Sequence, residues 1–261
     1  MAHDEPVALA QAPIEELEEY WHAPAESPYI VSRGYDWLWF LAPPLLALLL
    51  GGWVSSSSLP YEAVVVGGQD LTWRTLLLGI LIHGHLFAVV FRSHANPTIF
   101  KTFPLRFVLV PLLLCGAMNL SLWVMVSASV LGTFWDVYHS GAQTFGFARI
   151  YDRKAGNDPA VGRRLDAWLN QLLYAGPILA GASLMSHMDD FEAFEELGDV
   201  LFLQVPPFMD SNRAFLTWAV VGGGALFLGY YLLAYRRLVA QGYRVSMLKV
   251  YLLLSTGAVS I

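Results

Sequence analysis

The stretch Phe134-Trp135-Asp136-Val137-Tyr138-His139-Ser140-Gly141-Ala142-Gln143-Thr144-Phe145-Gly146 decides the predicted fold. It occupies the second half of an apolar run at 119–147, which is long enough for a membrane-spanning helix. A carboxylate at the centre of a bilayer costs at least about 2.5–3.5 kcal/mol, so an acid there needs a partner. Because Asp136, His139 and Gln143 stand at i, i+3 and i+7, they share one helical face.

A second apolar run, at 80–88, contains two histidines, His83 and His85. If this helix and the one at 119–147 cross the membrane in the same direction, their polar groups lie at similar depths. On a regular helix His83 and His85 point about 200° apart, so both face one ligand only if Gly84 lets the helix deform. We expect these two helices to be neighbours and the rest of the chain to be their scaffold.

The composition indicates a polytopic membrane protein. Of the 261 residues, 56% are hydrophobic and 14% are charged, whereas soluble domains carry about 25% charged residues. We predict an all-α transmembrane bundle over 35–261, with six spans and an incomplete seventh, and we expect the C-terminus to be truncated. The predicted spans are 36–54 with a kink or break at Pro43-Pro44, 71–91, 106–118, 120–147, 165–186, 214–235 and 250–261. We expect a polar loop with Gly and Ser at 55–70, and an acidic loop after the fifth span that holds Asp189, Asp190, Glu192, Glu195, Glu196 and Asp199.

The basic residues predict the orientation of the bundle. Twelve of the fifteen Lys and Arg fall in 92–106, 149–164 and 236–249, which follow alternate spans and therefore lie on one side of the membrane. The positive-inside rule places that side in the cytoplasm, together with an acidic N-terminal tail at 1–34. We predict a multi-pass protein of the bacterial inner membrane, in contact with membrane lipids and not with nucleic acid. The single cysteine excludes an internal disulfide framework and a cysteine-based zinc cluster.

The polar groups inside the spans predict a metal site. Neutral imidazoles with one carboxylate and open positions are the ligand set of non-haem iron chemistry. Asp136-x-x-His139 has the i, i+3 spacing that helical bundles use for di-iron or di-manganese centres. The candidate ligands are His83, His85, Asp136, His139 and, at the interface, His94, which could instead be an interfacial anchor. Tyr138 and Gln143 are candidate supporting residues that hold a ligand in the required tautomer, and a further polar layer could come from Asn170, Gln171 and Tyr174.

A metal inside the membrane suits an acyl or isoprenoid substrate. The first hypothesis is a metal-dependent oxidoreductase that uses non-haem iron or another transition metal, acts on a lipid-like molecule and needs a redox partner. Three alternatives stay open. The polar groups could be interhelical hydrogen bonds that only fix packing, ligands of a b-type haem in an electron-transfer subunit, or a proton or ion relay in a transporter-like component.

Tyr138-His139-x-x-x-Gln143-x-x-Gly146, which ends a span before a basic loop, resembles a motif of poorly characterised bacterial polytopic membrane proteins. With the histidines of the second span, the chain is also similar in outline to histidine-cluster membrane oxygenases. These are the acyl desaturases and hydroxylases and the bacterial carotene-cleaving dioxygenases. The resemblance implies a membrane protein with a histidine site. The chain has neither the H-x-x-x-H and H-x-x-H-H boxes of desaturases nor a Pro-His-Gly signature of the carotene-cleaving group, so no particular reaction is implied.

Overall fold

The apolar runs fold into helices in a computed structural model that describes residues 27–260. Three helical stretches are long and apolar enough to cross a bilayer: Arg33–Val54, Trp73–Ser93 and Arg213–Ala240. The all-α class is therefore confirmed, and these three helices fit a membrane protein. The count of six spans and an incomplete seventh is not confirmed. Most of the predicted acidic tail lies outside the described residues.

The first apolar run forms one N-terminal rod (33–55). It consists of α1 (Arg33–Asp36), a π-helical segment (Trp37–Leu41) and α2 (Ala42–Ser55). Pro43 and Pro44 carry no backbone N–H, so carbonyls in the preceding turn lose their usual donors. The wider turn accommodates this loss, because the N–H of Ala42 donates to the carbonyl of Trp37. The kink or break predicted at the prolines is thus a π turn in a continuous helix.

The predicted loop at 55–70 contains a short hairpin, so that prediction was wrong for part of the segment. β1 (Ala63–Val66) pairs antiparallel with β2 (Gln69–Thr72). The two residues between them are Gly67 and Gly68, and both have positive φ, as the tight turns of two-residue hairpins require. A β-branched run followed by Gly-Gly is a hairpin signal in the sequence itself.

The middle of the chain is a series of helices: α3 (Trp73–Ser93), α4 (Pro97–Thr102), α5 (Pro104–Leu120) and α6 (Leu122–Lys154). Ser121 caps α6, since its side chain accepts from the N–H of Val124. With 33 residues, α6 is about 50 Å long, well beyond a hydrocarbon core of about 30 Å. It therefore continues past the predicted span end at 147 and through the first part of the basic loop.

The second half of the chain continues with α7 (Arg163–Leu179), two 3₁₀ segments (Met185–His187 and Asp189–Leu197), α8 (Val200–Leu203), α9 (Val205–Ser211), α10 (Arg213–Ala240) and α11 (Met247–Ser260). The acidic segment expected to be a loop is packed against the bundle. Its Phe191 and Phe194 are buried together with Val126 and Val130 of α6.

The helices α6, α7 and α11 pack on one another, while the N-terminal rod packs on α11 and α10 packs on α7. Leu41 of the rod, Tyr151 of α6 and Leu252 of α11 share one buried cluster, and Leu169, Tyr231 and Leu253 form another. Both basic loops of this group lie at the same end, since the Asn157 amide binds the backbone of Arg244. The start of the rod reaches that end too, because the Tyr151 hydroxyl donates to the Asp36 carboxylate over 3.0 Å.

Candidate functional site

The histidines of α3 lie on the exposed surface of the chain. His83 and His85 are both exposed, and Nδ1 of His83 is 2.7 Å from the carbonyl of Gly79 in its own helix. His94 uses both ring nitrogens locally. Its Nδ1 is 2.8 Å from the Ser93 hydroxyl and its Nε2 is 3.0 Å from the Phe107 carbonyl. His94 therefore links the end of α3 to α5.

The polar face of α6 brings two of its predicted residues together. The Gln143 amide nitrogen lies 2.7 Å from Nε2 of His139. An amide nitrogen only donates, so in this arrangement Nε2 accepts and the imidazole proton is on Nδ1. The His139 ring stacks on Trp135, with an angle of 17° between the planes. Asp136, one turn earlier, is exposed.

The structure does not gather the predicted metal ligands at one point. Within residues 27–260, no group of three or more His, Cys, Asp or Glu side chains could hold a metal ion. The main packing partners explain this separation. The helix that carries His83 and His85 packs on the hairpin and α4, whereas α6 packs on α5, α7 and α11. The metal site stays a prediction. Among its predicted ligands and supporting residues, the side-chain contact found in the described chain is that between His139 and Gln143.

A buried ion-pair cluster, formed by Arg149, Asp152, Asp166 and Lys249, was not predicted. One carboxylate oxygen of Asp152 accepts from Arg149 and from Lys249, each over 2.7 Å. One oxygen of Asp166 accepts from the same two cations over 2.6 and 2.8 Å. Both aspartates are fully buried. Two positive and two negative charges thus neutralise one another where α6, α7 and α11 meet.

Tyrosines complete the shell around the ion-pair cluster. The hydroxyls of Tyr231 and Tyr235 donate to the second oxygen of Asp166, and that of Tyr243 donates to Asp152. Lys249 also lies 4.6 Å from the centre of the Tyr235 ring, within cation–π range. Burial raises the pKa of the Tyr243 hydroxyl above its ordinary value, and its bond to Asp152 acts in the same direction. Burial likewise raises the pKa of the Asp152 carboxyl, against the opposing effect of Lys249.

The sequence carried part of the signal for this cluster. Asp166 falls inside the predicted fifth span and Lys249 directly precedes the last apolar run, where charged groups need partners. Their number and sign balance, which is what a shared buried site requires. Periodicity could not predict the bend that returns α11 onto α6, and so it could not predict that Lys249 meets residues far from it in sequence.

An interhelical cavity of about 500 Å³ lies between the N-terminal rod, α6, α7 and α11. Most of its wall is apolar, with aromatic rings and the two prolines of the rod. Polar side chains enter from α6, α7 and α11. The lining residues are Trp39, Phe40, Pro43, Pro44, Ala47, Ser140, Gln143, Thr144, Phe147, Tyr174, Ile178, Leu252, Thr256 and Val259.

Two hydroxyls at this cavity have no hydrogen-bond partner in the described part of the chain. They belong to Ser140 and to Tyr174, and both side chains are half-buried. Gln143 also lines the cavity while its amide contacts His139, so of the predicted polar face of α6 the cavity wall includes Gln143 but neither Asp136 nor His139. Behind that wall, the Gln171 amide donates to the Tyr138 carbonyl over 3.0 Å and fixes α7 against α6. The arrangement can bind an apolar molecule that carries a hydrogen-bonding group.

Comparison with known proteins assigns the chain to no family. No family model matches the chain, and neither a curated protein nor a solved structure is similar to it. Function therefore has to be inferred from the interhelical cavity, the His139–Gln143 pair and the ion-pair cluster.

Proposed function

We propose that this protein is an integral membrane protein that binds a lipid-like molecule in the interhelical cavity, beside His139 and Gln143. The observation that carries the proposal is a largely apolar cavity of about 500 Å³ whose lining includes Ser140 and Tyr174, two residues with hydroxyls that have no partner among the described residues. Sites for small molecules are typically about 300–1,000 Å³, mostly apolar, with a few polar groups that orient the ligand. The rod that forms one wall is itself long and apolar enough to span a bilayer.

The position of the cavity along the helices supports a ligand that enters from the membrane. On α6, Gln143 precedes Asp152 by nine residues, which is about 14 Å along the axis. On α11, Thr256 follows Lys249 by seven residues, or about 10 Å. The cavity thus lies on the apolar side of the ion-pair cluster. As part of the proposal, the positive-inside rule puts the cluster at the cytoplasmic face of a bacterial inner membrane.

The test is lipid binding by the purified full chain in nanodiscs, measured by native mass spectrometry and by extraction of co-purified lipids. Ala47→Phe places a ring in the cavity, and we expect affinity to fall by about tenfold or more, equivalent to about 1.4 kcal/mol. The matched control is Leu49→Phe on the same rod, since Leu49 is exposed and does not line the cavity. Equal binding by the wild-type chain and Ala47→Phe would overturn the proposal.

A second candidate function is metal-dependent oxidation of the bound molecule. The observation in its favour is that Gln143, a residue of the cavity lining, contacts His139. A ligand histidine donates its other ring N–H to a supporting acceptor, so in this candidate the Gln143 amide turns, its oxygen accepts from Nε2, and Nδ1 is left to bind the metal. In this candidate, His139 and Asp136 bind non-haem iron or another transition metal, Tyr138 supports them, and His83, His85 or His94 contributes further ligands.

Metal analysis of the purified chain tests the second candidate separately. Iron, manganese or copper in stoichiometric amount, lost in His139→Ala and without a Soret band, supports the oxidoreductase. A Soret band supports the haem alternative. Lipid binding without bound metal leaves the first proposal standing and removes the oxidoreductase.

A further inference from the structure

The interhelical cavity presents hydrogen-bond donors and no charge. A tyrosine or serine hydroxyl without an internal partner can donate its proton to a ligand oxygen, and the hydroxyls of Tyr174 and Ser140 are in this condition within residues 27–260. No Lys, Arg, Asp or Glu is among its described lining residues. A neutral acceptor, such as a carbonyl oxygen, fits this set of donors.

The cations at the nearby end of α6 and α11 are already neutralised. Arg149 and Lys249 each bind both Asp152 and Asp166, so the cluster carries no surplus positive charge. Anionic headgroups are bound by charge-assisted hydrogen bonds from Arg or Lys. The cavity therefore disfavours a phosphate or carboxylate head.

Aromatic side chains give the cavity flat walls. The rings of Phe40 and Phe147, both in the lining, are 4.7 Å apart between centroids and inclined by 34°. Trp39 and Tyr174 add two more rings. Stacked and edge-to-face contacts with such rings favour a planar ligand over a plain acyl chain.

We infer that the ligand of this cavity is a lipid with an uncharged, carbonyl-bearing ring, which is the chemistry of an isoprenoid quinone. This inference rests on the proposed function and specifies its ligand class. The ring lies between the aromatic walls, its carbonyl oxygens accept from Tyr174 and Ser140, and the isoprenoid chain extends toward the surrounding hydrocarbon.

The experiment is a titration of the full chain, in nanodiscs of zwitterionic phospholipid, with three probes. These are a short-chain quinone, a ring-free isoprenoid hydrocarbon and an anionic phosphatidylglycerol, and binding is followed by tryptophan quenching and native mass spectrometry. We expect the quinone to bind at least about tenfold more tightly than either other probe. Tyr174→Phe and Ser140→Ala should each weaken quinone binding by about three- to tenfold, the loss of one hydrogen bond, and leave binding of the hydrocarbon unchanged, because it has no acceptor.

Two matched variants separate this effect from misfolding. Tyr230→Phe removes a hydroxyl from an exposed tyrosine of α10, and Ser127→Ala removes one from α6 away from the cavity. Both should bind the quinone as the wild type does. If the three probes bind equally and Ala47→Phe displaces them all, the quinone inference is overturned and the lipid-binding proposal stands. If no probe binds, both are overturned.

Discussion

Two regions of the molecule place ionisable groups on apolar helices in opposite ways. Around α6, α7 and α11, two acids and two bases are buried and saturate one another, and tyrosines occupy the remaining oxygens. On α3, His83 and His85 are exposed, and within residues 27–260 the one contact of these rings is the bond from His83 to its own helix backbone. The first region is closed within the chain. The second leaves its histidines available to lipid headgroups, metal or another molecule.

The difference shows that an ionisable residue in an apolar run does not by itself mark a functional site. A neutral, fully bonded group of buried charges need not add stability, because desolvation opposes the attraction, but losing one member is strongly destabilising because it leaves an uncompensated buried charge. Replacing one side chain at a time in each region tests this difference.

The largest expected effect is that of Lys249→Met. This change leaves Asp152 and Asp166 buried with a single cation, and breaking a buried pair in this way typically costs about 3–5 kcal/mol. We expect a corresponding fall in unfolding free energy, measured by denaturant titration in detergent. Lys101→Met, at an exposed lysine of α4, is the control and should change little.

Restoring neutrality should recover much of that loss. In the double variant Lys249→Met with Asp152→Asn, one positive and one negative charge remain, and the Asn oxygen can still accept from Tyr243. If the double variant is no more stable than Lys249→Met, charge balance is not what holds the ion-pair cluster together.

Tyr235→Phe should have a smaller effect. It removes one hydrogen bond to Asp166 and a contact of 2.9 Å with Lys249, and bonds to charged groups contribute about 1.5–3 kcal/mol. The ring and its cation–π contact remain. Tyr230→Phe on the exposed face of the same helix should stay within about 0.5 kcal/mol of the wild type; an equal loss in both variants would contradict a specific role of the Tyr235 hydroxyl.

High pH should weaken the same region gradually. The folded-state pKa of Tyr243 is raised, so its neutral form is favoured in the folded protein. Its contribution to stability is complete below the unfolded pKa of about 10 and is lost as pH rises above that value toward the folded pKa. A stability profile across this alkaline range should fall less steeply in Tyr243→Phe than in the wild type, and parallel profiles would exclude Tyr243 as a source of the slope.

The sequence predicted those features that depend on local pattern. Apolar runs gave the helices, and the spacing of His139 and Gln143 placed them on one face, where they are in contact. The position of Tyr174 suggested that it could belong to a further polar layer, and Tyr174 lines the cavity. The hairpin at Gly67-Gly68 was missed because the whole segment at 55–70 was interpreted as a polar loop with Gly and Ser.

Features that depend on which helices pack together could not be predicted. Depth alone made His83 and His139 compatible with one site, but depth does not specify the neighbour of each helix. Asp166 and Lys249 are far apart in sequence and meet only because α11 returns to α6 and α7. A single sequence without aligned relatives carries no pairing information for such contacts.

The smallest expected effect is that of His83→Leu and His85→Leu on stability. Neither side chain is buried, and no packing contact is lost, so the unfolding free energy should change by no more than about 0.5 kcal/mol. The same variants also test whether the histidines of α3 bind a metal. A metal site that includes α3 predicts that bound metal is lost while stability is unchanged. Metal content and denaturant titration on one preparation decide between these cases. A stability loss of several kcal/mol would show that α3 has a tight protein partner in the membrane, and its histidines would then belong with the paired charges of α6, α7 and α11.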